Sequence, residues 1–329
     1  MLKFVYALVS SEGDYFAEYA AMSMHSLRWH NPGCHIVLVT DDETLNSLTG
    51  GRALVKTYID ECIIVNSPEG FSPKQRSRVI KTTLRRNIEG DFLFLDCDTI
   101  VTSSLLELEN FECDVAVVYA QHTNTPEYSL VNNHWDSEGQ HWHMTKYYNS
   151  RKGDPVEKVK IRCHCNSGVM LCRDTENAHR LFELWHQYWL ESSTKYDWHS
   201  DQCDLWRADA VLGGILTELP GIYNCQMIYP KTALKYIIGC KVFHYFNSSH
   251  TFDCLAAKRP EVLDNVRRNG ITSDVEELML GVREDWLKSY VRRKDEEFQR
   301  YKTPFVELAA KISKRYPLAN RIATKILKK

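Results

Sequence analysis

Short apolar runs alternate with helical stripes through the first 120 residues. Lys3 to Val9, His35 to Thr40, Cys62 to Asn66, Asp91 to Leu95 and Asp114 to Ala120 have the length and composition of buried strands. Between them, Tyr15 to Trp29 carries Phe16, Tyr19, Ser23 and Leu27 at helical spacing, and Pro73 to Asn87 reads as a basic helix. Strands alternating with helices predict a parallel sheet joined by crossover helices, which is nucleotide-binding α/β architecture.

From Gln121 to Arg162 the pattern breaks into a polar stretch rich in His and Asn, too long for a simple connection and read as loops over a site. Regular signals return with a strand at Cys165 to Cys172 and a helix at Asp174 to Glu191 that buries Leu181, Trp185, Tyr188 and Trp189. A short helix is expected around Ser200 to Ala208. Strand-like pieces at Ile222 to Tyr229 and Lys241 to Phe246 are expected to finish the sheet, and the chain beyond about Asp253 is helical by pattern. There is no internal repeat and no Gly/Ser- or Pro-rich linker, so the helical part is expected to pack on the main domain. The expected division is 1–250 for the α/β domain and 251–329 for a helical extension.

Composition narrows the class. At 329 residues, with 43% hydrophobic and 26% charged positions, the chain can bury a real core. A formal charge of −2 gives no reason to expect a nucleic-acid partner. The charge is unevenly placed, however. Lys311 to Lys329 holds seven of the 41 Lys and Arg and no acid, so the preceding 310 residues carry 34 basic against 43 acidic groups. Eleven cysteines without disulfide-framework spacing fit a reducing cytosol. The segment Met1 to Val9 has one basic residue and a short apolar run, and reads as a first buried strand rather than a signal peptide. No run reaches the roughly 18 apolar residues of a membrane span.

The sharpest chemical signal is Phe92-Leu93-Phe94-Leu95-Asp96-Cys97-Asp98, a buried strand ending in two carboxylates one residue apart. Burying unpaired carboxylates is costly, so the pair calls for a cation, donors or water. Ligands collect at the carboxyl ends of strands in open α/β sheets, and a hard divalent ion there could bridge these oxygens to a diphosphate. The plain alternative is that Asp98 merely starts a turn. Upstream, the helix contains Lys74, Arg76, Arg78, Lys81, Arg85 and Arg86; most read as a solvated basic face, while Arg78 and Lys81 share one face at i, i+3 and are the expected diphosphate or sugar contacts.

Taken together, several segments resemble the GT-A glycosyltransferases. They are Tyr15 after the first strand, Ser77-Arg78-Val79-Ile80-Lys81-Thr82, Leu95-Asp96-Cys97-Asp98, Cys165-Asn166-Ser167-Gly168-Val169-Met170-Leu171, Asp201-Gln202 and Phe243-His244-Tyr245. Their order and spacing are most similar to family 8 and its relatives, the retaining galactosyl- and glucosyltransferases, over about residues 1–250. The resemblance implies a mixed, Rossmann-like central sheet flanked by helices. It also implies transfer of a hexose from a nucleotide-diphosphate sugar, by preference a UDP-sugar, to a saccharide or lipid-linked acceptor. Mn2+ (or Mg2+) would sit on Asp96, Asp98 and His244. Ser10 and Tyr15 at the first strand end would hold the base, with Arg78, Lys81, Cys97, Asn166 and Gly168 among the donor contacts. Asp201 and Gln202 would flank the sugar as catalytic residues. Residue by residue the bland readings are a structural His, a turn and a helix start.

One departure stands out. Family 8 follows its metal His with Gly, Lys and Pro-Trp, whereas this chain reads Tyr245-Phe246-Asn247-Ser248-Ser249-His250, so the diphosphate contact must come from elsewhere, Lys81 or Lys241 being the options. Cys163-His164-Cys165 lacks a second pair at zinc spacing and reads as a strand entry. His134, His141 and His143, with Trp135 and Trp142, could hold an acceptor or simply pack. After Pro317, the tail sets Leu318, Ile322 and Ile326 on one stripe and Arg321, Lys325, Lys328 and Lys329 on the other, as in a helix lying on an anionic membrane from the cytoplasmic side. Two rival functions are weaker. A sugar-nucleotide pyrophosphorylase would show a Gly-rich loop where this chain has Ser10-Ser11-Glu12-Gly13-Asp14, and a non-enzymatic platform would not need Asp96 and Asp98.

Overall fold

Four of the apolar runs do become adjacent parallel strands. In the computed structural model, which describes residues 1–120, 142–151, 159, 164–227, 230–245 and 259–301, the chain begins β1 (Lys3–Leu8), α1 (Phe16–His30), β2 (His35–Thr40), α2 (Asp42–Ser47), β3 (Glu61–Ile64), α3 (Pro73–Thr82) and α4 (Leu84–Asn87). It continues with β4 (Phe92–Leu95), β5 (Thr99–Val101), β6 (Val115–Tyr119), α5 (Trp142–Asn149), β7 (Cys165–Cys172), α6 (Glu176–Tyr196), α7 (Gln202–Val211) and β8 (Leu216–Glu218). Then come β9 (Cys225–Gln226), α8 (Pro230–Tyr236), β10 (Val242–His244), α9 (Pro260–Asn269), α10 (Ser273–Leu280) and α11 (Val282–Tyr301).

A seven-stranded sheet runs β3-β2-β1-β4-β7-β6-β8. The first four strands are parallel, β7 is antiparallel to both of its neighbours, and β8 is parallel to β6. The sheet is therefore mixed and flanked by helices. Its central strands are buried on both faces: Phe4, Tyr6 and Leu8 join Leu93 and Leu95 in one apolar cluster, while Val5 joins Phe92 and Phe94 in the other. Period-two alternation with both faces covered is why these strands read as unbroken apolar runs.

The pieces around 222–229 and 241–246 do not finish this sheet. A 3-10 turn occupies Gly221–Asn224, and β9 and β10 form a separate three-stranded sheet with β5, in the order β5-β10-β9. Strands of two and three residues carry no period that a sequence can display, so β5 and β8 have no counterpart in the sequence reading, and β9 is only two residues of the longer strand expected over Ile222 to Tyr229. The basic helix also differs from the single span 73–87. Thr82 Oγ1 donates to the Arg78 carbonyl at 2.7 Å and Thr83 Oγ1 to the Val79 carbonyl at 2.8 Å, and this back-bonding bends the chain at Thr83. Its start is fixed by a capping box between Ser72 and Gln75. Its basic face is only partly solvated: Lys74 and Arg86 are exposed, but the others are not. Arg85 is buried over the Phe92 ring at 5.0 Å, Lys81 is buried, and Arg76 pairs with Glu43.

Within 121–162, read as loops, α5 is a helix that buries Met144 and Tyr147. His134, Trp135, His141, the side chains of Trp142 and His143, Cys163, residues 246–250 and the basic tail at 311–329 lie outside the described residues. Leu263, Val266, Val275, Met279, Val282 and Trp286 of α9–α11 share an apolar cluster with Met22, Ile100 and Phe243, so the C-terminal helices pack on α1 and the smaller sheet. The nine described cysteines are free thiols, and no helix among the described residues is long and apolar enough to cross a membrane.

Candidate active site

At the carboxyl ends of β1 and β4 the two sheets part around a cavity of about 580 Å³. Ala7 to Val9 line it from β1, Asp96 to Asp98 from the β4–β5 junction, Asn166 and Ser167 from β7, Asp201 and Gln202 from the start of α7, and His244 from the end of β10. One face of α3 closes the side, with Lys74, Ser77, Arg78 and Lys81 recurring at the helical interval.

Asp96, Asp98 and His244 each offer a ligand atom within 4.8 Å of the others. His244 Nε2 lies 3.3 Å from Asp98 Oδ1 and 3.9 Å from Asp96 Oδ2. The imidazole orientation follows from a chain of hydrogen bonds that ends on the backbone. The Gly168 N–H donates to Asn166 Oδ1 at 2.9 Å, which makes that atom the amide oxygen. It therefore accepts from Asn224 Nδ2, also at 2.9 Å, which turns Asn224 Oδ1 to His244 Nδ1 at 2.8 Å. An oxygen there accepts the Nδ1–H, which turns Nε2, the other ring nitrogen, toward the two carboxylates. Two carboxylates and an imidazole nitrogen converging on one point suit a divalent cation, and Nδ1–H held by an amide oxygen is the usual bracing of a metal-bound His.

Gly168 makes the convergence possible. A Cβ at this position would fall 2.2 Å from His244 Cε1, 2.8 Å from Asp96 Oδ2 and 2.9 Å from Asn166 Oδ1. Its carbonyl accepts the Asp96 N–H at 2.7 Å, which holds the first carboxylate's backbone to β7.

Lys81 Nζ donates to Asp96 Oδ1 at 3.0 Å and lies 4.8 Å over the Phe94 ring. Arg78 Nε pairs with Asp201 Oδ1 at 2.9 Å, and Ser167 Oγ donates to Asp201 Oδ2 at 3.3 Å. Burial alone would raise the Asp201 carboxyl, but the Arg78 guanidinium, with Lys81, more than offsets it and holds the group below the usual carboxylate range. Asp201 is thus an ionised, braced carboxylate, and its backbone carbonyl accepts the Trp185 indole N–H at 2.8 Å.

Several sequence assignments land elsewhere. Tyr15 does not line the cavity; its hydroxyl donates to Asp264 Oδ1 at 3.0 Å, which raises the phenol's pKa, and its neighbours Asp14 and Phe16 line the cavity instead. A helix start turns consecutive side chains about 100° apart, so the right segment presents a different ring. Ser10 braces the loop from behind, donating to Asp14 Oδ1 at 2.5 Å and accepting from Arg52 at 2.7 Å. Cys97 does line the cavity, with its thiol turned to the Ala7 carbonyl at 3.5 Å. Of the two lysines left open for the diphosphate, Lys81 reaches the cavity, whereas Lys241 pairs with Glu107 away from it. Lys74 and Ser77 share the helical face of Arg78 and Lys81 and line the cavity with them, whereas Asn224 carries no local signal at all.

The family model for glycosyl transferase family 8 matches residues 8–249. The chain belongs to this family. It is a glycosyltransferase, and its mixed sheet between helices is the GT-A arrangement. Among solved structures the transferase is similar to the bifunctional glycosyltransferase WbbM in its apo form, with 17% identity over 75% of this chain and 46% of that one, at a TM-score of 0.49. It is similar also to the glycosyltransferase GlyE of Streptococcus pneumoniae TIGR4, at 16% identity over 88% and 64% of the two chains and a TM-score of 0.48. A third similar structure is the galactosyltransferase LgtC in complex with donor and acceptor sugar analogs, at 13% identity over 84% and 100% and a TM-score of 0.49. The transferase thus spans less than half the length of WbbM. No curated protein matches it.

Proposed function

We propose that the transferase moves a hexosyl group from a nucleotide-diphosphate sugar, by preference a UDP-sugar, to a saccharide or lipid-linked acceptor with retention of anomeric configuration. The observation that carries this reading is the meeting of Asp96, Asp98 and His244 on one wall of a cavity whose other wall is the cationic face of α3. A divalent ion, Mn2+ or Mg2+, bound by those residues would neutralise charge on the departing nucleoside diphosphate.

The residues of the chain itself account for the rest. Lys81 sits beside Asp96 and supplies the diphosphate contact that the segment after His244 lacks. Arg78 shares its charge between Asp201 and the cavity. Asp201 stays ionised at neutral pH, so it orients groups rather than carrying a proton, while the Gln202 carboxamide offers an oxygen to positive charge developing at the sugar carbon. Asn166 and Gly168 shape the floor beneath the sugar. Phe16, half exposed at the cavity edge, gives the base a ring to stack on. In the same reading the basic segment 311–329 rests on an anionic membrane surface at the cytoplasmic side, where a lipid-linked acceptor would be found.

Nucleotide release from a panel of UDP- and GDP-sugars, with Mn2+ and with EDTA, tests the proposal on wild type and Asp98→Ala. The expected result is metal-dependent release from one donor that the variant loses by at least about 100-fold. Equal release in EDTA, or full activity in Asp98→Ala, would refute it.

A further inference from the structure

The loop that follows β1 is held by a residue from the far end of the chain. Asp14 lines the cavity, and its carboxylate organises its own turn: Oδ1 accepts from Ser10 Oγ at 2.5 Å and from the Phe16 N–H at 3.1 Å, and Oδ2 from the Ser11 N–H at 2.8 Å. Within the turn the Ser11 carbonyl accepts the Asp14 N–H at 3.3 Å, and the Glu12 and Asp14 carbonyls are satisfied from outside. Their donor is Arg267 of α9, with Nη1 donating to the Glu12 carbonyl at 3.0 Å and Nη2 to the Asp14 carbonyl. The same guanidinium forks onto buried Glu18 of α1, Nε to Oε1 at 2.7 Å and Nη2 to Oε2 at 3.1 Å. Its carbon lies 4.9 Å over the Tyr15 ring, whose hydroxyl is held by Asp264 one turn earlier on α9.

Arg267 therefore touches Glu12, Asp14, Tyr15 and Glu18, the whole turn between the β1 end and the first turn of α1. A lysine could satisfy one of these partners; a planar fork satisfies several with fixed geometry. The helix carrying it is itself seated tightly, because a Cβ on Gly51 would fall 1.5 Å from the Arg267 carbonyl oxygen. Residue 267 also lies beyond 8–249, the span of the family match.

We infer that Arg267 is a positioning residue for donor binding: it fixes the Ser11–Phe16 turn from outside the catalytic domain, and through that turn sets where Asp14 and Phe16 meet the nucleoside. The inference rests on the donor reading above. It assigns the C-terminal helices a part in substrate affinity, in addition to covering the smaller sheet.

The test is UDP binding by calorimetry in Mn2+, donor hydrolysis kinetics, and amide exchange in the Ser11–Phe16 turn. Three variants are compared with wild type: Arg267→Lys, the pair Arg267→Gln with Glu18→Gln, which leaves no buried lone charge, and Gly51→Ala, which displaces α9 without touching any charge. The expected outcome is a UDP Kd and donor KM raised about tenfold or more, as for a displaced positioning contact, with kcat changed by less than about threefold. Exchange in the turn should quicken while that in β2 stays as in wild type. Folded variants with wild-type Kd, KM and turn exchange would overturn the inference. Failure of the donor reading would show separately, as absence of UDP binding to wild type.

Discussion

Gly168→Ala probes the centre of the site with a single methyl group. The backbone at Gly168 lies in β7 and is not left-handed, so alanine brings no backbone strain and only the methyl matters. That methyl would stand 2.2 Å from His244 Cε1, against the 3.4–4 Å of ordinary contact, so the ring or the strand must yield by more than 1 Å. The ring has nowhere to go: His244 is buried, tied through Nδ1 to Asn224, and paired in β10 with Thr99 of β5. Overpacking of this kind costs about 1–3 kcal/mol, and at about 2–4 °C per kcal/mol for a large domain this lowers Tm by about 2–12 °C. The larger effect falls on the cation, because metal ligands tolerate displacements of only about 0.2 Å. Affinity should drop by at least about 100-fold, the upper end for disturbed bracing of a metal ligand. Thermal melts in EDTA and across a Mn2+ series measure both effects. At a Mn2+ concentration 100 times the wild-type Kd, bound ion stabilises wild type by about 2.7 kcal/mol and the variant by only about 0.4 kcal/mol. A variant whose Tm rises with Mn2+ as steeply as wild type would refute the assignment of Asp96, Asp98 and His244 as the ion's ligands.

Two further outcomes follow from the same geometry. Asn224→Ala removes the amide that holds His244 Nδ1–H and should weaken Mn2+ binding about 10- to 100-fold while leaving the fold intact, read from the same melts; unchanged Mn2+ dependence would mean the amide chain does not govern the ring. Asp204, in α7, is buried; burial pushes its carboxyl up to about 7, against the opposing pull of the Tyr147 and Ser192 hydroxyls and of Arg151. The folded state then keeps a proton that the unfolded chain releases near pH 4, so this group's contribution to stability is full below about pH 4 and falls as pH rises towards about 7. Asp204→Asn should gain relative to wild type between pH 5 and pH 8 in urea midpoints, and a difference that does not change with pH would refute the burial argument.

What could be read from the sequence depended on whether a signal was local. Asp96 and Asp98 were legible because an apolar strand ending in two acids is self-contained, and Arg78 and Lys81 because one helix repeats its face. The same arithmetic reaches Lys74 and Ser77. His244 came only from resemblance, since a lone His in a three-residue strand has no pattern of its own. Asn224 was out of reach, because its role exists only when β9 and β10 lie side by side. Lys241 looked equivalent to Lys81 until the fold placed Glu107, 134 positions away in sequence, beside it. Tyr15 lies in a turn whose neighbours Asp14 and Phe16 line the cavity, while its own ring sits under Arg267 and its hydroxyl is bound by Asp264, 249 positions away and beyond any local pattern.

The Asp96-Cys97-Asp98 junction has a mechanical consequence. Asp96 closes β4 of the large sheet, Asp98 opens β5 of the small one, and His244 belongs to the small sheet alone. A cation shared among them would act as a rivet through a seam between the two layers, beside the hydrogen bonds from Asn224 to Asn166 and from Gln226 to the Tyr119 carbonyl that already stitch it. Loading and unloading the ion would then tighten or slacken the joint, and any sideways slip of the small sheet, with the C-terminal helices that ride on it, would be felt at the ion as a loss of grip.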